Sequence, residues 1–234
     1  MTKRSDDRTV DEMKANVIPV RPAEHAVRPI QGASRHAGVT KSTALEKHGA
    51  KTNPDHTAIV VGAGLSGLAA AHALRERGIA VIILEASCRV ADPWRARHPQ
   101  LRLNIHRHFA RLPGRAMTRR DGPFVQRDTV VSYLEDYART LGVTIEFNTR
   151  VIGVARHGQR WRIMTENGRY ECAHVIVATG RERLRSLPVW PGMDGFRGQI
   201  VHAADFGDVA RYEGRKVLVI GAGNSGTDIL NHLA

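Results

Sequence analysis

Cysteine is almost missing from this chain. Only Cys88 and Cys172 occur in 234 residues, and neither belongs to a CxxC pair. That excludes a small disulfide-stapled domain, and it argues against a thioredoxin-reductase-like redox pair and a cysteine-ligated zinc site. A reduced, cytoplasmic setting is the expectation. Long apolar runs are missing too. None approaches the roughly 18 residues of a membrane-crossing helix, so no membrane span is predicted. The start, Met1-Thr2-Lys3-Arg4-Ser5-Asp6-Asp7, lacks the apolar stretch of a signal peptide. Aromatic residues make up 5% of the chain, and residues 1–55 contain none. With mixed charges, Pro, Gly and Ala and no sustained periodicity, that segment is expected to be a disordered extension. Acidic residues are the minority charge: Lys and Arg number 35 against 23 Asp and Glu, a net charge of +12. Such a balance is one footprint of nucleic-acid binding. Here the arginines are scattered through every segment, so solvated side chains and small polyanionic ligands are expected instead.

Glycine, by contrast, is placed with purpose. Two turns share one pattern, Gly62-Ala63-Gly64-Leu65-Ser66-Gly67 and Gly221-Ala222-Gly223-Asn224-Ser225-Gly226. Each follows an apolar β-branched run, Ala58–Val61 and Val217–Ile220, and each precedes a helix-like stretch. The first glycine allows the tight turn and the second lets backbone approach a pyrophosphate. The third lets helix and strand pack closely, with the helix N-terminus facing the anion. Two such units predict two dinucleotides, typically a flavin and a nicotinamide.

The first unit is complete. Thr57–Val61 reads as a buried strand, Leu65–Arg77 as a helix stopped by Gly78, and Ile79–Leu84 as the next strand. Glu85 ends that strand near the roughly 20-residue spacing from the glycines at which an acid meets the adenosine ribose hydroxyls. The plainer reading of Glu85 is a surface acid at a strand end. After an irregular stretch over 86–127, Asp128 reads as the cap of a helix carrying Val131, Leu134, Tyr137 and Leu141 on one face. A strand over Val143–Phe147 follows. Three runs, Arg150–Arg156, Arg160–Thr165 and Arg169–Cys172, are separated by His157-Gly158 and Asn167-Gly168 and predict an antiparallel meander. The apolar strand Val175–Ala178 comes next, closed by Thr179-Gly180. The predicted fold class is α/β: a Rossmann-like FAD-binding core over 56–210 with an inserted meander, and the start of a second Rossmann NAD(P)-binding unit over 211–234.

One further stretch carries a resemblance. Phe196-Arg197-Gly198-Gln199-Ile200-Val201-His202-Ala203-Ala204-Asp205-Phe206 fits FxGxxxHxxx(Y/F) and precedes the second glycine turn. In this order the motifs resemble the flavin-containing monooxygenases. Trp94–Gly114, with Leu101-Arg102-Leu103-Asn104, and Lys216–Asp228 are similar to the YUCCA-like branch. The resemblance covers about residues 57–234. It implies reduction of FAD by NAD(P)H, capture of O2 as a flavin C4a-hydroperoxide, and transfer of one oxygen atom to a small molecule. It also implies roles for residues. Gly62, Gly64, Ser66 and Gly67 would hold the FAD pyrophosphate and Glu85 the adenosine ribose. Trp94 would lie along the flavin, and Thr179 and Gly180 near its pyrophosphate. Gly221, Gly223, Ser225 and Gly226 would receive the nicotinamide dinucleotide. Asn104 would be the catalytic amide, able to donate to a developing anion without titrating; its alternative is a turn or strand-end residue. His202 reads as a structural linker residue rather than a base. His98, His106 and His108, interleaved with arginine, read as a solvated loop, and no metal ligand is assigned.

Two departures stand out. Where many members carry Gly-Gly-x-Trp, this sequence has Ala91-Asp92-Pro93-Trp94. A carboxylate near FAD phosphates is expected to weaken affinity, by about 1 kcal/mol or more depending on burial. The chain also ends at Ala234, shortly after Gly226. It is expected to be part of a larger whole: a fragment, a frameshifted product, or one half of a split flavoprotein that pairs with a missing C-terminal half or with its own copy. A non-catalytic FAD-binding remnant is the alternative to an enzyme.

Overall fold

A computed structural model describes residues 57–180 and 185–234. The expectation for residues 1–55 lies outside the described residues. Four short strands build the central sheet: β1 (Ala58–Val61), β2 (Val81–Leu84), β3 (Thr144–Glu146) and β7 (His174–Val177). All are parallel, in the order β3-β2-β1-β7. β1 and β2 are buried along their whole lengths. That is why their sequences, AIVV and VIIL, are continuously apolar rather than alternating.

The sheet has different partners on its two faces, and the two-residue period of the strands sorts them. Ala58, Val60, Val81 and Ile83 face the helices α1 (Leu65–Arg75) and α3 (Arg127–Thr140), packing with Leu68, Ala71, Val130, Val131 and Leu134. Ile59, Ile82 and Leu84 face the meander β4 (Val151–His157), β5 (Arg160–Thr165) and β6 (Gly168–Cys172), packing with Ile163, Tyr170 and Cys172. The meander is antiparallel in the order β4-β5-β6. The Tyr170 hydroxyl donates to Glu146 Oε2 at 2.6 Å and pins the meander to β3. Burial, and then the neighbouring Glu146 carboxylate, raise the Tyr170 pKa well above its ordinary value.

The expected elements occur in the expected order, with shorter ends. α1 stops at Arg75 rather than Arg77. α3 starts at Arg127 with Gln126 rather than Asp128 as its cap residue. A short helix, α2 (Asp92–Arg95), sits in the stretch read as irregular. The Tyr133 and Tyr137 hydroxyls of α3 hold the 112–115 loop, through the Leu112 amide and the Arg115 and Pro113 carbonyls.

The second unit is built only in part. The helix forms as α4 (Asn224–Leu233), but Val217–Ile220 pairs with no strand among the described residues. Leu218 is 83% and Ile220 64% exposed. An apolar run becomes a strand only when neighbours accept its backbone hydrogen bonds, and none of the described strands stands beside it.

Candidate functional site

The first glycine turn lies where β1, β2 and β7 end together. Val61 is in register with Leu84 on one side and Val177 on the other. Gly62 turns the chain with φ +106°, and its amide donates to the Leu84 carbonyl at 2.8 Å. A Cβ on Gly62 would sit 2.6 Å from the Ala178 carbonyl oxygen, and one on Gly67 only 1.8 Å from the Gly62 carbonyl oxygen. A Cβ on Gly64 would meet nothing within 4 Å. So Gly67 closes the turn on itself, Gly62 seats it against the chain leaving β7, and Gly64 faces open space.

Gly64 is also the cap residue of α1; among the described residues no side chain caps its free amides, and its first turn holds no acid. Ser66 is exposed beside them. Unpaired N–H groups and the positive end of the helix dipole therefore face outward at an open backbone, an arrangement that accepts an anion. Thr179 and Gly180 are exposed directly after β7, with the Thr179 Cα 3.5 Å from a Cβ placed on Gly62.

Glu85 is tied into the turn. Its Oε2 accepts from the Ala63 amide at 2.6 Å and its Oε1 from the Ser87 amide at 2.8 Å. The parallel register brings this about, because Leu84 lies opposite Val61. Glu85 is half-buried, and each carboxylate oxygen keeps a second lone pair for a hydroxyl donor. The pattern of acid and spacing was legible in the sequence; the bond to Ala63 was not.

The second turn repeats the first. Gly221 has φ +112°, and a Cβ on Gly226 would lie 2.2 Å from the Gly221 carbonyl oxygen. The cap residues match closely: Gly64 at φ −80°, ψ −174° and Gly223 at φ −78°, ψ 177°. Leu68 donates to Gly64 as Thr227 donates to Gly223. Ser225 is exposed, like Ser66. The turn is thus formed although the run before it is not a paired strand.

The other expected site residues are distributed less simply. Trp94 is half-buried on α2 and packs on the core beneath the helices. Asn104 is exposed, next to Ile105 at 46%, and among the described residues its side chain makes no hydrogen bond. Asp92 pairs with Arg89 Nε at 2.7 Å. That neighbour offsets part of the repulsion expected toward phosphates. Ala91 has φ +64°, the left-handed region where glycine is favoured. His202 accepts the Ala204 amide at its Nδ1 and caps a short turn over Ala203–Asp205.

His98 departs from the solvated-loop reading: it is 6% exposed. Its Nε2 lies 2.6 Å from Asp228 Oδ2, and its ring meets Phe206 edge-on at 5.5 Å. Phe206 itself stacks on Tyr212 at 4.7 Å. His106 and His108 lie together elsewhere, their rings 4.8 Å apart. The loop carrying His98 is thus the floor on which α4 rests. Nothing in the 98–108 spacing signals this, because the partner lies 130 residues further along.

Cys88 is exposed and Cys172 buried, and both are free thiols.

Comparison with known proteins agrees with this geometry. The family described as pyridine nucleotide-disulphide oxidoreductase matches residues 59–234. A probable indole-3-pyruvate monooxygenase, YUCCA3 of Arabidopsis thaliana, is 33% identical over 191 residues, 74% of this chain and 44% of that relative. An uncharacterized CzcO-like oxidoreductase of Geobacillus kaustophilus is 32% identical over 176 residues, 75% of this chain and 51% of that relative. Among solved structures, a flavin-containing monooxygenase from Stenotrophomonas maltophilia is 31% identical with a TM-score of 0.71, covering 75% of this chain and 54% of that one. The chain spans about half the length of the curated relatives it matches.

Proposed function

The chain belongs to the pyridine nucleotide-disulphide oxidoreductase family, and we propose that it forms the FAD-binding part of an NAD(P)H-dependent flavin monooxygenase. The observation that carries this is the closed turn Gly62–Gly67 at the head of α1, with Glu85 bonded into it. The exposed amides of α1 hold the FAD pyrophosphate, and the spare lone pairs of Glu85 receive the adenosine ribose hydroxyls. Thr179 and Gly180 close the far side. Gly221–Gly226 receives the nicotinamide dinucleotide at the head of α4. Bound FAD, once reduced, supplies the chemistry that activates O2 for transfer of one oxygen atom to a small molecule. Trp94 and Asn104 are assigned to the flavin side, Asn104 as the amide that donates toward developing negative charge. The FAD unit is drawn over 56–210 and the NAD(P)H unit from 211 onward.

The two cysteines of this chain support oxygenation over disulfide reduction, since one thiol is buried, the other is exposed, and they form no CxxC pair. A second reading rests on the exposed, unpaired Val217–Ile220 run: an FAD-binding unit that gains its nicotinamide site only when strands from elsewhere cover that run. The experiment is an absorbance spectrum of the purified chain with FAD, then with NADPH under anaerobic conditions. Flavin bands that co-elute with protein and bleach with NADPH support the first reading. Retained FAD without bleaching supports the second. Protein that takes up no FAD refutes both.

A further inference from the structure

Three side chains outside the glycine turns converge where α4 meets the rest of the molecule. They are His98, from the loop after α2, and Asp228 and His232, one helical turn apart on α4. One donor atom from each lies within 4.8 Å of the other two. His98 Nε2 is 2.6 Å from Asp228 Oδ2, and His232 Nε2 is 3.6 Å from Asp228 Oδ1. The side chains are 5%, 26% and 25% exposed, respectively. The rings of His98 and His232 face each other edge-on at 5.4 Å.

We propose that His98, Asp228 and His232 form a site for a divalent transition metal of the zinc type. The donor set, two imidazoles and one carboxylate, is one that zinc accepts, and imidazole nitrogen selects against magnesium and calcium. Around a tetrahedral zinc with bonds of about 2.0–2.1 Å, donors stand about 3.3 Å apart. Asp228 and His232 are already near that spacing. The His98 contact, made to the other carboxylate oxygen at 2.6 Å, must open by less than an ångström. A small rotation of the carboxylate or the rings sets one oxygen against both imidazoles, since one donor atom of each residue already lies within 4.8 Å of the other two. The partial exposure of the two α4 residues leaves the fourth position to water. Only one of the three ligands is anionic, so the occupied site is a net cation. Among the described residues, the enclosed His98 Nδ1 has no hydrogen-bond partner. Ligation through Nε2 puts the proton on that nitrogen, where a metal-bound histidine normally has an acceptor. Both features weaken the affinity relative to a site with a second anionic ligand and a partnered Nδ1. An occupied site would tie α4, and with it the second glycine turn, to the loop of the first unit. This inference does not depend on the proposed flavin chemistry.

The test is calorimetric titration of the chelator-treated chain with ZnCl2, with CoCl2 as a spectroscopic probe. The expected result is saturable binding of one equivalent and visible ligand-field bands with cobalt. Asp228→Asn keeps an acceptor for His98 Nε2–H, so a purely hydrogen-bonding role survives it while the anionic ligand is lost. His232→Gln removes a ligand and keeps a polar side chain of similar length on the part-buried face of α4. Each variant is expected to weaken binding by about tenfold or more while circular dichroism stays unchanged. A His106→Gln, His108→Gln double variant is expected to bind as the parent does. Absence of saturable binding, unchanged affinity in both α4 variants, or loss in the His106/His108 variant instead would overturn the proposal.

Discussion

The two glycine turns invite a paired perturbation, Gly67→Ala against Gly226→Ala. Both place a methyl group against a backbone carbonyl, at 1.8 Å and 2.2 Å respectively. Both gain about 1 kcal/mol of helix propensity, so that contribution cancels between them. What differs is the freedom of the carbonyl to move. The Gly62 carbonyl follows a strand paired on both sides, its amide is bonded to Leu84, and its Cα faces the Ala178 carbonyl. To relieve a contact more than an ångström too short, the end of β1 must leave its register. The Gly221 carbonyl follows an exposed run that pairs with no strand among the described residues, so that turn can open cheaply. Gly67→Ala is expected to cost about 2–4 kcal/mol, the upper range for forced overpacking. At this chain length that is about 4–16 °C in Tm. Gly226→Ala is expected to stay within about 1 kcal/mol of the parent, because strain and propensity nearly cancel. Urea unfolding followed by circular dichroism reads both. Equal losses, or a Gly67→Ala cost below about 1 kcal/mol, would refute the argument that strand pairing makes the first turn rigid.

Three further outcomes follow from particular contacts. Glu85→Gln keeps one acceptor oxygen and leaves either the Ala63 or the Ser87 amide unpaired; it is expected to cost about 1–2 kcal/mol without any ligand and to weaken FAD uptake. Parent-like urea unfolding would contradict this. Burial raises the pKa of Tyr133, Tyr137 and Tyr170, with Glu146 adding to the effect at Tyr170. The folded chain therefore keeps protons that the unfolded chain loses, so their contribution is whole below about pH 10 and falls as pH rises further. Tyr170→Phe is expected to flatten that alkaline slope in pH-dependent unfolding; an unchanged slope counts against it. A thiol reagent is expected to label Cys88 quickly and Cys172 only after denaturation, since burial also raises the Cys172 thiol pKa. Two fast thiols in the folded chain would contradict the packing of the meander on the sheet.

Much of the architecture was legible because it is written in local patterns. Continuous apolar runs gave β1 and β2, helical periodicity gave α3, and Asn167-Gly168 gave a hairpin. The glycine turns were the most legible feature. Their dihedrals and their internal contacts are nearly the same in both copies, although one strand is paired and the other is not. A turn of that kind depends on a few consecutive residues. Tertiary structure alone decided the rest. Val217–Ile220 has the composition of a strand, but hydrogen-bonded pairing needs a neighbour that composition cannot supply. Glu85 sits on the Ala63 amide because parallel pairing sets Leu84 beside Val61. His98 looked solvated among arginines and prolines, yet α4 covers it and Asp228 bonds it from 130 residues away. The sequence by itself determined which segments could turn, pair or bury a face. Which polar groups meet was left to long-range packing, because burial and charge pairing depend on neighbours that are close only once the chain has folded.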